Sequence, residues 1–386
     1  MAVFLQRDTV LHITPNDGDT TAMGTPVVYR VPVLEGFSFS QTTNSSDISL
    51  SEMESTAGVS RRGRRVFNDS LAPAEWSFST YIRPFLSGGG GSGEHSAAHM
   101  HAVDEVLWNA LLSRGHPQET GTYPSAKSAQ TASLYTMTAA NSNKSALNTL
   151  TMEFAVSGLT GGTTYVLDQA VVNGATVTFD VDGIATVEWT GFAATVTMKT
   201  ANSGNPTTAT ILEGQQGGDT NNFIRNRLTT LAVDGSHASN AAPIGDSYAL
   251  TLTGGTITID NGITYLTPDT LGTVNSPLAH VTGPRNISGS FTCYLATGSG
   301  NDSRDFFNNM TASASLEDVT NVFDLSFAIG GASAPKATSD LDTCHVEVPS
   351  HAVDEVISLE TNFHSLPSDL DSADDFGITF VGPAVT

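Results

Sequence analysis

The chain has 386 residues, and its 16 lysines and arginines against 39 aspartates and glutamates give a formal charge of −23. That balance excludes a surface built to grip phosphate backbones, because such binding depends on counterions displaced by clustered basic residues. Charged residues make up only 14% of the chain and hydrophobic ones 39%, including 18 phenylalanines, which excludes wholesale disorder and supports a packed core.

At roughly 150 residues per domain, the length implies two or three domains. The N-terminal stretch MAVFLQRDTVLHI has no basic n-region and no long apolar core, so no signal peptide is predicted. No stretch reaches the ~20 apolar residues of a membrane span. Phe37 and Phe39 alternate with Ser38 and Ser40, a period of two that predicts a half-buried strand. Four of the sixteen basic residues then fall in Arg61-Arg62-Gly-Arg64-Arg65, after Glu52 and Glu54. Without interleaved aromatics this run does not read as a nucleic-acid site. It reads as a loop that pairs with acidic groups of a neighbouring subunit, or as a solvated turn.

A second strand follows, with Trp76, Phe78, Thr80 and Ile82 alternating with Ser77, Ser79 and Tyr81. The glycine run at 88–93 lacks the Lys-Ser/Thr that completes a phosphate cradle. His95, His99 and His101 lie near Glu94, but a metal centre needs three or four convergent, supported ligands, and a segment emerging from four glycines does not supply that order. No metal or other cofactor is predicted. Val103, Val106, Leu107, Ala110 and Leu111 then predict an amphipathic helix, with Asp104 and Glu105 turned to solvent, Ser96 or a neighbour as its cap and Gly115 at its end. Trp108 lies off this stripe, as an interface anchor or as packing for a long loop.

From Tyr165 to Trp189, Asn173-Gly174 and Asp182-Gly183 separate apolar alternations and predict a three-stranded meander. The Gly-, Thr-, Asn- and Gln-rich segment 200–222 has a linker composition. A similar β passage follows Tyr248, broken at Gly254-Gly255 and Asn261-Gly262, and Ser303–Met310 predicts a short helix with Phe306, Phe307 and Met310 on its apolar side. Cys293 and Cys344 read as two separate buried thiols rather than a bridge. The predicted class is β-dominated α+β, with short, regularly punctuated strands that favour sandwiches or barrels.

The halves also look alike. Trp76-Ser-Phe78-Ser-Thr-Tyr81 matches Gly289-Ser-Phe291-Thr-Cys-Tyr294, and each is followed by a Gly/Ser loop and a helix. Phe37-Ser-Phe39 matches Ile257-Thr-Ile259, the strand around Phe154 matches that around Phe327, and Thr190-Gly-Phe192 matches Thr361-Asn-Phe363. The expected organisation is two tandem domains, 1–199 and 223–386, joined by the linker at 200–222. The hexapeptide His-Ala-Val-Asp-Glu-Val, at His101–Val106 and again at His351–Val356, does not fit this register and is read as a chance recurrence.

On these strand motifs, with Val27-Val-Tyr-Arg30-Val-Pro-Val, Gly255-Thr-Ile257-Thr-Ile259-Asp-Asn261-Gly and Gly283-Pro-Arg285-Asn-Ile287 beside them, the chain resembles the tail tube proteins of tailed bacteriophages. The resemblance covers most of the chain through scattered motifs. It implies tail-tube-like β-sandwich or barrel domains, each with a flanking helix, arranged six to a ring. Two domains per chain imply a homotrimer ring of pseudo-sixfold symmetry, stacked into a hollow virion tail assembled in the host cytoplasm. The implied partners are further copies of the chain, the tape measure, tail tip and terminator proteins, and genomic DNA passing without sequence-specific binding. Arg61, Arg62, Arg64, Arg65 and Trp108 are the candidate contacts between subunits or rings. An acidic chain suits a bore that DNA must leave freely, and composition fits ordinary solubility charge equally well.

Two other classes compete. A tail-fibre, decoration or adhesin protein would be β-rich too, but a fibre should show short shaft repeats and an adhesin an anchoring segment. A carbohydrate hydrolase would need aromatic platforms in a cleft, and the three tryptophans, at 76, 108 and 189, include two in strand alternations. No catalytic motif is present, so no enzyme is predicted.

Overall fold

The computed structural model describes residues 9–16, 27–49, 64–86, 99–115, 125–140, 147–158, 161–200, 210–213, 222–236, 246–268, 274–298, 301–312 and 321–382. The first strands are β1 (Thr9–Pro15), β2 (Val27–Val31), β3 (Ser38–Ser40), β4 (Thr43–Ser49), β5 (Arg64–Leu71), β6 (Ala74–Tyr81), β7 (Pro84–Leu86) and β8 (Met100–Ala102), followed by helix α1 (Glu105–Leu112). Next come β9 (Lys127–Gln130), β10 (Leu134–Thr138), β11 (Leu150–Gly158), β12 (Gly161–Phe179), β13 (Thr186–Ala193), β14 (Thr195–Thr200) and β15 (Thr210–Glu213). The chain continues through β16 (Thr230–Asp234), β17 (Ser247–Ala249), β18 (Leu252–Asp260), β19 (Thr264–Leu266), β20 (Ala279–Val281) and β21 (Asn286–Tyr294) to helix α2 (Ser303–Met310). It ends in β22 (Phe323–Ile329), β23 (Lys336–Val346), β24 (Ser350–Val353), β25 (Ile357–Ser365) and β26 (Gly377–Val381). The fold is β-dominated, as the alternations predicted.

β12 organises the first half. Its first part pairs with β11 and β14, and beyond Gln169, whose φ is +49, it joins a second sheet between β13 and β18. The predicted meander is therefore corrected: Asn173-Gly174 is no turn but lies inside one long strand, at a register shift against β13. Neighbours on both edges hold the backbone extended there, and tertiary pairing overrides the local turn preference. The Asn173 side chain instead braces the turn after β18, donating to Asp260 at 3.0 Å and accepting from the Ile263 amide at 2.8 Å. Asp182-Gly183 does turn the chain, with Gly183 at φ +94.

The same pairing order appears twice. In the first half β1 pairs with β2 and β11, β12 with β11, β13 and β14, and β6 with β13 and β3. In the second half β16 pairs with β17 and β22, β23 with β22, β25 and β26, and β21 with β25 and β18. Each helix falls between the equivalent strands, α1 after β6 and α2 after β21. Each half also carries a separate two-stranded pair at the same point in the order, β4 with β5 and β19 with β20. The His-Ala-Val-Asp-Glu-Val copies fall at different places, one running through β8 into α1 and the other through β24. The 200–222 segment contains β15, whose Thr210–Glu213 pairs in parallel with the open edge of β2.

The core lies between the sheets. Phe154 of β11 packs against Phe37, Phe39 and Phe78, with ring centroids 5.1, 5.2 and 6.3 Å away. In the second half Phe327 of β22 packs on Phe363 at 5.7 Å, and its stack on Phe179 at 5.2 Å ties it to β12. Arg285 and Asp375 form a largely buried, two-pronged pair, with Nε to Oδ2 at 2.8 Å, that fixes the entry to β21 against the approach to β26.

The helix α1 departs from the amphipathic expectation, because all eight of its residues are buried. Trp108 meets Trp189 edge-on at 4.9 Å and stacks on Phe376 at 5.7 Å, and the Leu111 carbonyl accepts from Asn261 at 2.9 Å. The helix is thus covered by both halves, and Asp104 and Glu105 face inward. Glu105 is met by the His101 ring nitrogen at 2.9 Å. Asp104 accepts from the Thr80 hydroxyl at 2.9 Å, which itself accepts from Trp189 at 2.9 Å.

Burial pushes the Asp104 carboxyl up to about 7, with Glu105 adding to the effect and the Thr80 bond opposing it. Its stabilising neutral form is therefore fully present below the ordinary carboxylate range and is lost as pH rises through about 7. Asp104→Asn is expected to be more stable than the parent at pH 8 by on the order of 2–4 kcal/mol, with the difference vanishing by pH 4. Urea unfolding of both chains at the two pH values checks this. An unchanged difference would show that Asp104 remains charged in the fold.

Candidate functional site

The strands β3, β6, β13, the far part of β12, β18, β21 and β25 form one continuous sheet, and the period of two separates its faces. The inward face carries Trp76, Phe78, Trp189, Val177, Ile257 and Phe363. The opposite face is a field of small hydroxyls. One cross-strand row reads Ser79, Glu188, Thr176, Thr258, Ser288 and His364, and parallel to it lie Ser38, Ser77 and Thr190. Neighbouring hydroxyls touch: Ser38 and Ser77 at 2.9 Å, and Thr176 and Thr258 at 3.5 Å. The charged groups on this face are Glu75, Glu188, Asp260 and Glu360, and these seven strands present no lysine or arginine there. Short hydroxyl side chains with scattered carboxylates give a surface that repels polyanions, with Tyr81, Phe192 and the exposed Tyr294 as the aromatics at its margins.

The two ends of this sheet are open. β3 pairs with β6 on one side only, and β24 pairs with β25 on one side only, among the described residues. All four β24 residues are exposed.

A third surface is the β4–β5 pair. Every β4 side chain from Thr43 to Ile48 and most of β5 are exposed, including Ile48, Val66 and Phe67, the last two half-exposed at 50% and 52%. Its base is held where the Leu71 amide donates to the Asn275 carbonyl at 2.7 Å. A two-stranded ribbon is marginal in water by itself, and exposed Val and Phe side chains on it favour a docked state. Arg64 and Arg65 open β5 and are exposed, Arg64 lying 3.5 Å from Asp47 in a solvent-exposed pair that contributes little stability. Arg61 and Arg62 lie outside the described residues. Trp108 sits elsewhere, fully buried within its own chain, so its ring has no surface to present to a neighbouring subunit.

His95 lies outside the described residues, His101 is buried against Glu105 and stacked on Phe85 at 5.2 Å, and no group of potential metal ligands converges among the described residues. Cys293 and Cys344 are both free and buried, their thiols pushed up to about 11 and about 12 by desolvation. No helix among the described residues is long and apolar enough to cross a membrane. Residue types alone did not reveal the hydroxyl face or the open edges. The Ser/Thr alternation was visible, but which strands lie side by side was not.

No family model matches the chain. The chain is 30% identical over 353 residues to the tail tube protein pb6 of Escherichia phage T5, an alignment that covers 90% of this chain and 69% of that protein. The resemblance first carried by scattered strand motifs thus extends along almost the whole sequence. The chain belongs to the tail tube proteins of tailed bacteriophages.

Proposed function

We propose that this structural virion protein polymerises as stacked rings of three chains, each chain giving two tube-like domains, 1–199 and 223–386, to a pseudo-sixfold ring. The observation that carries the reading is the recurrence of one strand-pairing order in both halves, with a helix and a two-stranded pair at matching places. The hydroxyl face turns to the bore, where its carboxylates and lack of cations let genomic DNA slide without being held. Head-to-tail contacts closed into a ring satisfy sheet edges that would otherwise pair without limit. Other tail proteins, the tape measure, tip and terminator among them, meet the ends of the stack, and assembly takes place in the host cytoplasm. Function on this reading resides in interfaces, and no catalytic step is assigned.

The β4–β5 pair and its arginines reach the next ring, where acidic groups of an acidic protein are plentiful. Changing Arg61, Arg62, Arg64 and Arg65 together to glutamate is expected to leave the subunit folded, with unchanged circular dichroism, while tubes become rare and short by electron microscopy. The effect should be largest at low salt, where unscreened repulsion reaches furthest. Tubes of ordinary length from that variant would remove the arginines from ring stacking.

A further inference from the structure

A recess of about 360 Å³ lies on the hydroxyl face, where β3, β6, β13 and the bulged part of β12 run side by side. The period of two decides which side chains line it. On one rung Glu75 stands between Ser40 and Phe192, so a carboxylate has a hydroxyl on one side and an aromatic ring on the other. On the next rung Ser38, Ser77 and Thr190 form a row of hydroxyls. Ser38 and Ser77 share a hydrogen bond at 2.9 Å, and their oxygens keep lone pairs for a further donor. Asn173 closes the far side, and its bond to Asp260 at 3.0 Å brings a second carboxylate to that wall.

No lysine or arginine lines the recess, so it has nothing to hold an anion. Its lining suits a cation that carries several N–H donors on an apolar stem. The carboxylate pairs with an ammonium, the hydroxyl oxygens accept from further N–H groups, and the Phe192 ring attracts the cation or covers its methylenes. Glu188 sets the length: it lies on the same face of β13, four residues or about 14 Å along the strand from Phe192 at the usual rise. We infer that the recess binds a linear oligoamine, with one ammonium on Glu75 beside Phe192, its middle over the hydroxyl row and its far ammonium toward Glu188. A bare divalent ion is a poorer match, because it needs several oxygens converging on one point, and no such group converges among the described residues. The site stands on the single chain, and only its consequence rests on the bore reading above. An oligoamine held there lends positive charge to a repelling wall and bridges it to DNA phosphates.

The test is calorimetric titration of the purified subunit with spermine at low salt, where one saturable site per chain is expected. Glu75→Gln should weaken that binding about fivefold or more, the scale of an exposed ion pair joined by a ring contact. Glu360→Gln removes a carboxylate from the same face outside the recess and should change the affinity by less than about twofold. Diaminobutane, too short to reach both carboxylates, should bind more weakly than spermine. Equal weakening by the two variants, or no saturable binding, overturns the site, because the amine would then answer only to the net charge of −23. Displacement of spermine by magnesium at matched ionic strength overturns it as well. On virions, spermine should slow DNA release from the parent more than from Glu75→Gln. Equal slowing, with the calorimetric difference intact, keeps the oligoamine site and removes this face from the bore.

Discussion

Gly191→Ala and Gly289→Ala are each expected to lower the stability of the subunit by about 3 kcal/mol, at the top of the usual range for overpacking. Gly191 lies opposite Trp76, and a Cβ on it would stand 2.4 Å from the indole and 2.1 Å from the Val171 carbonyl oxygen. Gly289 lies opposite Phe363, and a Cβ there would stand 2.5 Å from the ring and 2.2 Å from the Thr256 carbonyl oxygen. Backbone on a central strand cannot retreat without breaking ladder bonds on both sides, so the clash cannot be relieved by side-chain motion alone. The two sites are the same rung of the two pairing orders with its members exchanged: the aromatic is on β6 and the glycine on β13 in the first half, and the reverse holds on β21 and β25. An aromatic laid over a cross-strand glycine is a known way to fill the gap that glycine leaves in a sheet. Gly298→Ala is the control, because the nearest atom to its added Cβ, at 3.9 Å, is an Asp302 carboxylate oxygen, and it should change stability by less than about 0.5 kcal/mol. Urea midpoints for the three variants check the set, and a Gly289→Ala midpoint equal to that of Gly298→Ala would contradict this packing.

The second large effect concerns the proposed bore. Thr176→Lys, Thr258→Lys and Ser288→Lys together place cations on one cross-strand row of the hydroxyl face, where β12, β18 and β21 lie side by side. These positions are outside the core, so the subunit should fold and tubes should form at their usual length. Each ring would then carry several luminal charges able to displace counterions from DNA, and binding to rings in series accumulates. DNA release from such virions is expected to slow by at least about tenfold at 50 mM salt and to recover steeply toward 200 mM, following the salt dependence of phosphate contacts. A salt-independent defect would point to damaged assembly, and unchanged release would mean that the face lies away from the DNA.

The period of two was legible wherever strands alternate small hydroxyls with large apolar groups, as in β6 and β21, because such alternation serves a sheet with one buried face. The boundaries of α2 were also legible: Phe306 and Met310 supply its buried side, and Asp302 accepts from the amides of Arg304 and Asp305, each at 3.1 Å. The inward turn of Asp104 and Glu105 was not, since it depends on α1 being covered by a second half distant in sequence. Asn173-Gly174 misled for a similar reason: the dipeptide has a strong turn preference in a free hairpin, but β13 and β18 flank it here. The register read for the proposed repeat lies within a residue or two of the one that the two pairing orders give. Phe78 and Phe291 hold matching places, whereas Ile257 corresponds to Phe39 rather than Phe37, and Phe363 to Gly191 rather than Phe192. Arg64 and Arg65 stood out by composition as a basic cluster in an acidic chain, but the apolar ribbon that carries them emerged only from the pairing of β4 with β5. The edge formed by β24 was hidden altogether, because its open side follows from pairing order and has no sequence signature.

The central claim is that three two-domain chains make one ring. Negative-stain microscopy of isolated tails, with rotational averaging of end-on views and subunit mass taken by light scattering, tests it most directly. The expected result is a ring with a central hole, six lobes of similar size and threefold symmetry, containing three chains. Six chains per ring, or a compact trimer without a bore, would contradict it.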